Sequence, residues 1–395
     1  MRKLIYIAVF FSGMTSLGIE MLASRLLERT FGMTNLVWAS VIGLILIYLA
    51  IGYFLGGAWA DHSPSFRTFF KILVWSAVAT ALLPIASRPI LQLASGAFDR
   101  LQAGPMIGAF VTTLLLLVIP TVLLGTASPF AIRLAARQTR NIGSTAGRIY
   151  AVSTLGSFIG TFLPALLLMP TIGTYRSFFV FAAILLVVSL IGLGISSGWK
   201  SVLPFFWTPL LMAGLWIWGL PGSDRPTSGQ IYEGESSYNY IQVVEQNGTR
   251  YLLLNESQGF HSIFHPDEYF YAGPWEEILA APFFNPAPYD PARIQRIAIA
   301  GLAAGTSARQ ATYALGAVPI DGFELDEKIV QIGREYFDMN QSNLNVIIQD
   351  GRWGLEHSPY RYQIISIDAY RPPYIPWHMT TREFFQIVYA RLADD

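Results

Sequence analysis

Three carboxylates in the last quarter of the chain stand in equivalent places. Glu324, Asp350 and Asp368 each lie at the end of an apolar run, in "GFEL", "VIIQD" and "IISID". Before them, "IAIAGLAAGT" (297–306) is an apolar run that enters a turn holding Gly301 and Gly305. In an open parallel sheet, ligands bind beyond the carboxyl ends of the strands. An acid after the second strand can accept both ribose hydroxyls, and one after the third can accept an exocyclic adenine amine. An acid after the fourth would face a reacting group. The two glycines let the first turn pass close beneath the ligand. No Gly-x-Gly-x-x-Gly is present, so a dinucleotide pyrophosphate fits poorly. A single adenosine thioether, such as S-adenosylmethionine, fits better. One acid alone reads as a solvated strand end; three in consecutive register point to a shared ligand.

The elements that must hold these residues are legible around them. "RIAIAG" reads as a buried strand, "TSARQATYAL" as a helix and "AVPIDGFEL" as a second strand. "DEKIVQIGREYF" is a helix, and "LNVIIQD" and "YQIISIDAY" are strands three and four. "TTREFFQIVYARL" closes the series as a helix that Thr380 or Thr381 can cap, with Glu383 in its first turn. Such alternation predicts a parallel, doubly wound sheet. Upstream, "YNYIQVVEQNGTRYLLLNE" (238–256) alternates apolar and polar residues around Asn247–Gly248, a dipeptide suited to the positive φ angles of a type I′ hairpin turn. A helical stretch is expected around 273–281.

This second half resembles the polyamine aminopropyltransferases, the spermidine synthases, and the whole chain resembles their membrane-fused relatives. The residues that carry the likeness are "YNYIQV", "YLLLNESQG", "IAIAGLAAGT", "FELDEKIV", "REYF", "QDGRWGL" and "IISIDAY…HMTTREFF". The resemblance implies a small β-subdomain (231–292) ahead of a class I S-adenosylmethionine-type Rossmann-like region (293–395). It implies decarboxylated S-adenosylmethionine or S-adenosylmethionine as donor, an amine acceptor and no metal. Gly301, Gly305, Glu324, Asp326, Asp350, Gly351 and Gln258 would hold the donor, Glu324 at the ribose and Asp350–Gly351 at the adenine. Tyr238, Asn239 and Tyr370 would meet the acceptor. Asp368 would be the base, since a protonated amine near pKa ~10 is no nucleophile until it loses a proton. The family turn "GGGDGG" has its acid where this chain has Ala304, and its second acid in "DSSDP" aligns with Arg371. "GPWEE" (273–277) stands in place of "YHE". The adenosine frame is kept while the polyamine-reading acids are changed, which implies altered acceptor specificity. The family fold also continues with further strands, so the fourth strand is expected to leave an edge that a second copy or a partner chain could cover.

The first half is of another kind. The chain is 53% hydrophobic and only 13% charged, too apolar for an ordinary soluble protein. Residues 1–229 carry 15 Lys and Arg against 5 Asp and Glu, whereas 230–395 carry 11 against 21. The acidic second half argues against a nucleic-acid partner, and the lack of cysteine excludes thiolate metal sites. About seven segments, near 4–24, 36–59, 69–87, 107–127, 150–169, 176–196 and 201–220, reach the length a bilayer demands. A transmembrane domain (1–221) and a linker (222–230) are expected, in the plasma (inner) membrane of a prokaryote. Loop charge favours a cytoplasmic N-terminus, nine basic residues against five. Seven spans then carry the second half across, and an even number would return it. An alternative reading gives the work to the helices: a transporter or sensor with a degenerate ligand-binding module, Glu20 being its acid within a span.

Overall fold

Apolar runs too long for a soluble core govern the first half of the chain. The structure, a computed structural model, describes residues 1–31, 35–101, 105–137, 141–218, 227–255, 259–286, 288–370 and 375–393. It divides into two compact units, Met1–Asp224 and Arg225–Asp395. In the first, α1 (Arg2–Phe31), α2 (Asn35–His62), α3 (Phe66–Leu101), α4 (Pro105–Gly125), α5 (Ala127–Ala136) and α6 (Ile142–Leu163) follow one another. Pro164 has no N–H to continue the ladder, and α6 passes through a π-helical turn, Pro164–Leu168, into α7 (Met169–Ile172). Then come α8 (Thr174–Ser197) and α9 (Trp207–Trp218). Among the described residues, seven helical segments are long and apolar enough to cross a bilayer, the number the sequence predicts. Small residues set their spacing: a Cβ on Gly156 of α6 would lie 2.0 Å from the Phe10 carbonyl oxygen of α1. Arg25 pairs with Glu28 at 3.3 Å and Arg133 with Asp61 at 2.9 Å.

The second unit begins with four antiparallel strands in sequence order: β1 (Gln230–Glu235), β2 (Tyr240–Gln246), β3 (Thr249–Leu254) and β4 (Phe260–Phe264). Asn247 and Gly248 turn β2 into β3 at φ +53° and +81°, the positive pair a type I′ turn requires. The helix expected around 273–281 is instead two short 3₁₀ stretches, Pro274–Leu279 and Ala281–Phe284. Pro282, unable to donate to the ladder, interrupts what would have been its next turn.

The parallel sheet follows. β5 (Ile297–Ala300), α10 (Thr306–Leu315), β6 (Ile320–Glu324), α11 (Glu327–Tyr336), β7 (Leu344–Ile348), α12 (Gly351–His357), β8 (Ile364–Ile367) and α13 (Arg382–Arg391) build it in the order β7-β6-β5-β8. Because side chains alternate along a strand, Ile297 and Ile299 face α10 through Ala308 and Ala311. Ala298 and Ala300 face the other way, toward Leu355 of α12 and Phe384 of α13. Thr381 caps α13, its hydroxyl accepting the Phe384 N–H at 3.2 Å. Just ahead of β8, Tyr362 forms an isolated parallel bridge with Leu392.

One ion cluster ties the foot of this sheet. Asp321, near the start of β6, is buried and accepts from Arg296 Nε (2.8 Å), Arg296 Nη2 (3.2 Å), Asn345 Nδ2 (2.9 Å) and the Tyr362 hydroxyl (3.0 Å). Burial alone would raise its carboxyl; the bonds from Arg296, Asn345 and Tyr362 outweigh that and hold it below the ordinary range. The stability it contributes is therefore present above an ordinary carboxylate pKa of roughly 4 and is lost as pH falls through its lowered folded value. Asp321→Ala leaves Arg296 uncompensated and is expected to cost about 3–5 kcal/mol at neutral pH. Thermal unfolding of the full chain in detergent would show this. A variant as stable as the parent would refute the role given to the cluster.

Candidate functional site

The chain reverses its direction of travel across the sheet after β7. From β5 it moves outward through β6 and β7, then returns to β8 on the opposite side. The crevice at this switch point, beyond the carboxyl ends of β5 and β8, is the usual ligand position in such sheets. A cavity of about 330 Å³ fills it, and its walls include Glu324, Asp350, Gly351, Asp368, Tyr238, Tyr370 and His378. That volume is near the lower end for small-molecule sites, about 300 Å³.

The turn after β5 shapes the floor. Gly301 has φ +94°, and a Cβ there would lie 2.5 Å from the carbonyl carbon of Asp368. Only glycine permits both the angle and this approach. Ala303 is also left-handed, at φ +48°, which costs an alanine about 1 kcal/mol. The conformation is held because the Ala303 N–H donates to Glu324 Oε2 at 2.9 Å. The neighbouring N–H groups are engaged as well. Those of Gly301 and Leu302 donate to the Phe323 carbonyl, that of Ala304 to Ser262 Oγ and that of Gly305 to the Leu302 carbonyl. The amides of residues 301–305 are thus all engaged within the protein.

Glu324 ends β6 with its carboxylate held at Oε2 by the Ala303 N–H and at Oε1 by the Asp326 N–H at 3.0 Å, the Leu325 N–H adding a weaker pull. A carboxylate offers about four acceptor positions, so acceptor capacity remains for a diol. Burial raises its carboxyl above the usual range, against the lowering pull of those amides. Asp350 caps α12 through Oδ1, which accepts the Trp353 N–H at 3.0 Å, while Oδ2 meets His378 Nε2 at 2.9 Å. Asp368 follows β8, anchored by its N–H to the Ala300 carbonyl at 2.8 Å. Its carboxyl opens on the cleft, yet the surrounding walls displace enough water to push it up to about 6. The arrangement supplies acceptors for a diol and an amine at one end and a carboxylate of raised proton affinity at the other.

Other residues picked out by sequence take different places. Asp326 touches the cleft but is 2% exposed. Its Oδ1 accepts the Lys328 N–H and caps α11, and its Oδ2 accepts Ser236 Oγ and Asn239 Nδ2. These bonds make it a brace between sheets. Asn239 gives its amide to Asp326 and takes Asn255 Nδ2 at 3.0 Å, so both ends of that side chain serve the protein. Gly305 packs on Met339 instead of lining the cleft. Ala304 is buried among Ile241, Ile329, Ile332 and Phe337 and brings no charge to the cavity. Gln258 and Arg371 lie outside the described residues. His378 and Asn255 were not singled out by sequence reading. The signal for His378 was its place just ahead of the Thr381 cap, in a segment that must return beside α12.

A Rossmann-like parallel sheet with a crevice at its switch point defines the fold class of this unit. Comparison with known proteins gives the relatives. No protein-family model matches the chain. A protein of Bifidobacterium longum described as "Probable polyamine aminopropyl transferase" is 36% identical over 161 residues, which are 41% of this chain and 34% of that protein. The polyamine aminopropyltransferase of Vibrio vulnificus is 29% identical over 163 residues, 39% of this chain and 52% of the relative. That of Hydrogenobaculum is 24% identical over 170 residues, 42% and 57% respectively. The matched stretch thus spans about a third of the first relative's length and just over half of the others. Among solved structures, a probable spermidine synthase from Corynebacterium glutamicum aligns with 22% identity and a TM-score of 0.36, over 43% of this chain and 61% of that one. Relatives named polyamine aminopropyltransferase match the C-terminal two-fifths of the chain, and that part is similar to them.

Gly301→Ala is expected to displace the end of β8, because its methyl would overlap the Asp368 carbonyl. Loss of hydrogen-exchange protection at 364–368, with β6 still protected, would report this. Unchanged protection in both strands would contradict it.

Proposed function

We propose that the chain is a membrane-anchored transferase of the aminopropyltransferase type. Its donor is decarboxylated S-adenosylmethionine or a related adenosine thioether, and its acceptor specificity differs from that of the polyamine enzymes. The observation that carries this reading is the meeting of Glu324, Asp350 and Asp368 around one cleft whose turn amides are all spoken for. The apolar helices support anchoring in a lipid bilayer, the plasma membrane of a prokaryote. The change in acceptor follows from "GPWEE" (273–277) standing in place of the family's "YHE" and from Arg371 in place of its second acid, while Ala304 stands where the family's acid meets the donor's own amine.

In this reading Glu324 orients the donor through its ribose, and Asp350 with Gly351 receives the adenine. When bound, the donor supplies an electrophilic methylene on a sulfonium. Asp368 binds the protonated acceptor amine, accepts its proton and leaves the nitrogen lone pair free to attack. The carbon–nitrogen bond forms as the carbon–sulfur bond breaks, and a neutral thioether departs. The protein's main contribution is in-line positioning. The raised proton affinity of Asp368 has a defined consequence. Below about 6 the carboxyl is protonated and cannot serve as base; above it, the carboxylate is present.

Two measurements test the proposal with the full chain in nanodiscs. Calorimetry should detect 5′-methylthioadenosine, with binding weakened about tenfold or more in Glu324→Gln, the size of a hydrogen bond to a charged group. No heat with a folded parent would sink the donor assignment. With decarboxylated S-adenosylmethionine and a panel of amines, thioether release should rise with pH through about 6 to a plateau. Asp368→Asn should lower the rate roughly 10²–10⁴-fold. A flat profile, or a variant as fast as the parent, would remove Asp368 from the base role.

A further inference from the structure

His378 forms a contact that the proposed reaction leaves unexplained. Its Nε2 lies 2.9 Å from Asp350 Oδ2, and both side chains line the cavity. A carboxylate oxygen accepts, so Nε2 is the donor. The same residue is held a second time, by its backbone: Arg352 Nη1 donates to the His378 carbonyl at 2.7 Å. Asp350 and Arg352 stand two positions apart at the start of α12, so one turn of chain grips His378 by ring and by carbonyl. The opposite oxygen of Asp350 is fixed by the Trp353 N–H at 3.0 Å. With a bond on each oxygen, the plane and rotamer of the Asp350 carboxylate are set before any ligand arrives. Each oxygen still has acceptor capacity. A hydrogen-bonding site discriminates most strongly when its groups are positioned in advance, because a ligand of the wrong polarity then meets a fixed acceptor.

We propose that His378 is the positioning residue for purine recognition, holding Asp350 so that the cleft selects a 6-amino purine over a 6-oxo purine. This rests on the donor reading above and deepens it. An exocyclic amine donates to the waiting oxygen. A 6-oxo group sets acceptor against acceptor, and the carboxylate, clasped on both oxygens, cannot rotate to avoid it. Without His378 the carboxylate keeps its charge but loses one of its two restraints, so selectivity should suffer more than affinity for the nucleoside scaffold.

The test compares 5′-methylthioadenosine with 5′-methylthioinosine by calorimetry on the full chain in nanodiscs. The parent should prefer the adenosine compound. In His378→Ala that preference should fall about tenfold, the scale of one hydrogen bond, with methylthioinosine affinity and the melting temperature unchanged. His378→Gln, whose amide can still donate to Asp350, should restore most of the preference. His378→Asn, similar in polarity but too short to reach, should behave like His378→Ala and replaces it if the alanine variant does not fold. Preference intact in both short variants overturns the inference and leaves the donor reading standing. Equal weakening of both nucleosides also overturns it, since that marks a merely structural residue. A folded parent that binds neither compound overturns the donor reading and this inference together.

Discussion

The carboxylate of Asp326 joins the two sheets of the second unit, and the cleft depends on that joint. One oxygen begins α11; the other takes the Ser236 hydroxyl and the Asn239 amide from the bend between β1 and β2. Ser236 Oγ in turn accepts the N–H groups of Tyr238 and Asn239, and Asn255 links Asn239 back to the Tyr240 backbone. A buried acid with several charge-assisted bonds is stable only while all of them are made. The bend therefore has one position relative to the parallel sheet. Beneath it, Ile241, Val243 and Leu252 of the hairpin pack on Ala304, Ile329 and Phe337. Apolar contact brings the sheets together and the Asp326 network fixes their register.

That constraint explains why two acids two residues apart have different fates. Glu324 ends β6 and Asp326 follows it, and both touch the cavity. Glu324 is held by backbone amides, whereas Asp326 is enclosed by a helix cap and two side-chain donors. The difference comes from what the neighbouring sheet offers. β-subdomain hydroxyl and amide groups saturate 326, while the tight turn after β5 reaches 324 with the Ala303 amide alone. Strain at Ala303 is the cost of that reach. It places a donor where a carboxylate must be held.

How much of this was legible in sequence follows from which interactions are local. Asn247–Gly248 specified its turn, the Thr380–Thr381 pair a cap that the structure assigns to Thr381, and "TSARQATYAL" its helix, because each depends on residues within one turn of chain. The strand ends carrying Glu324, Asp350 and Asp368 were legible because apolar runs mark buried strands and an acid marks where burial stops. Asp326 and Asn239, by contrast, looked like ligand residues; only the three-dimensional meeting of β1–β2 with α11 shows their hydrogen-bonding capacity committed to the protein. The 3₁₀ stretches at 274–284 escaped because Pro282 divides a pattern that is otherwise helical in composition. α12 escaped because seven residues beginning with glycine carry no apolar period.

The same distinction bears on how the site relates to its chemistry. Residues that act on a ligand must keep some hydrogen-bonding capacity uncommitted, and residues that position them must spend theirs. Glu324 retains acceptor positions while being oriented by the backbone, Asp350 while being held by the Trp353 amide and His378, and Asp368 is anchored through its N–H to Ala300. Partial desolvation by the cleft walls pushes the Asp368 carboxyl up to about 6, although the residue keeps an exposed surface. Desolvation raises this group, so its proton affinity depends on the closeness of the walls. Those walls are fixed at Gly301, where the absence of a side chain lets β5 and β8 approach. The geometry of one glycine thus reaches the acid–base behaviour of a carboxylate on the adjacent strand.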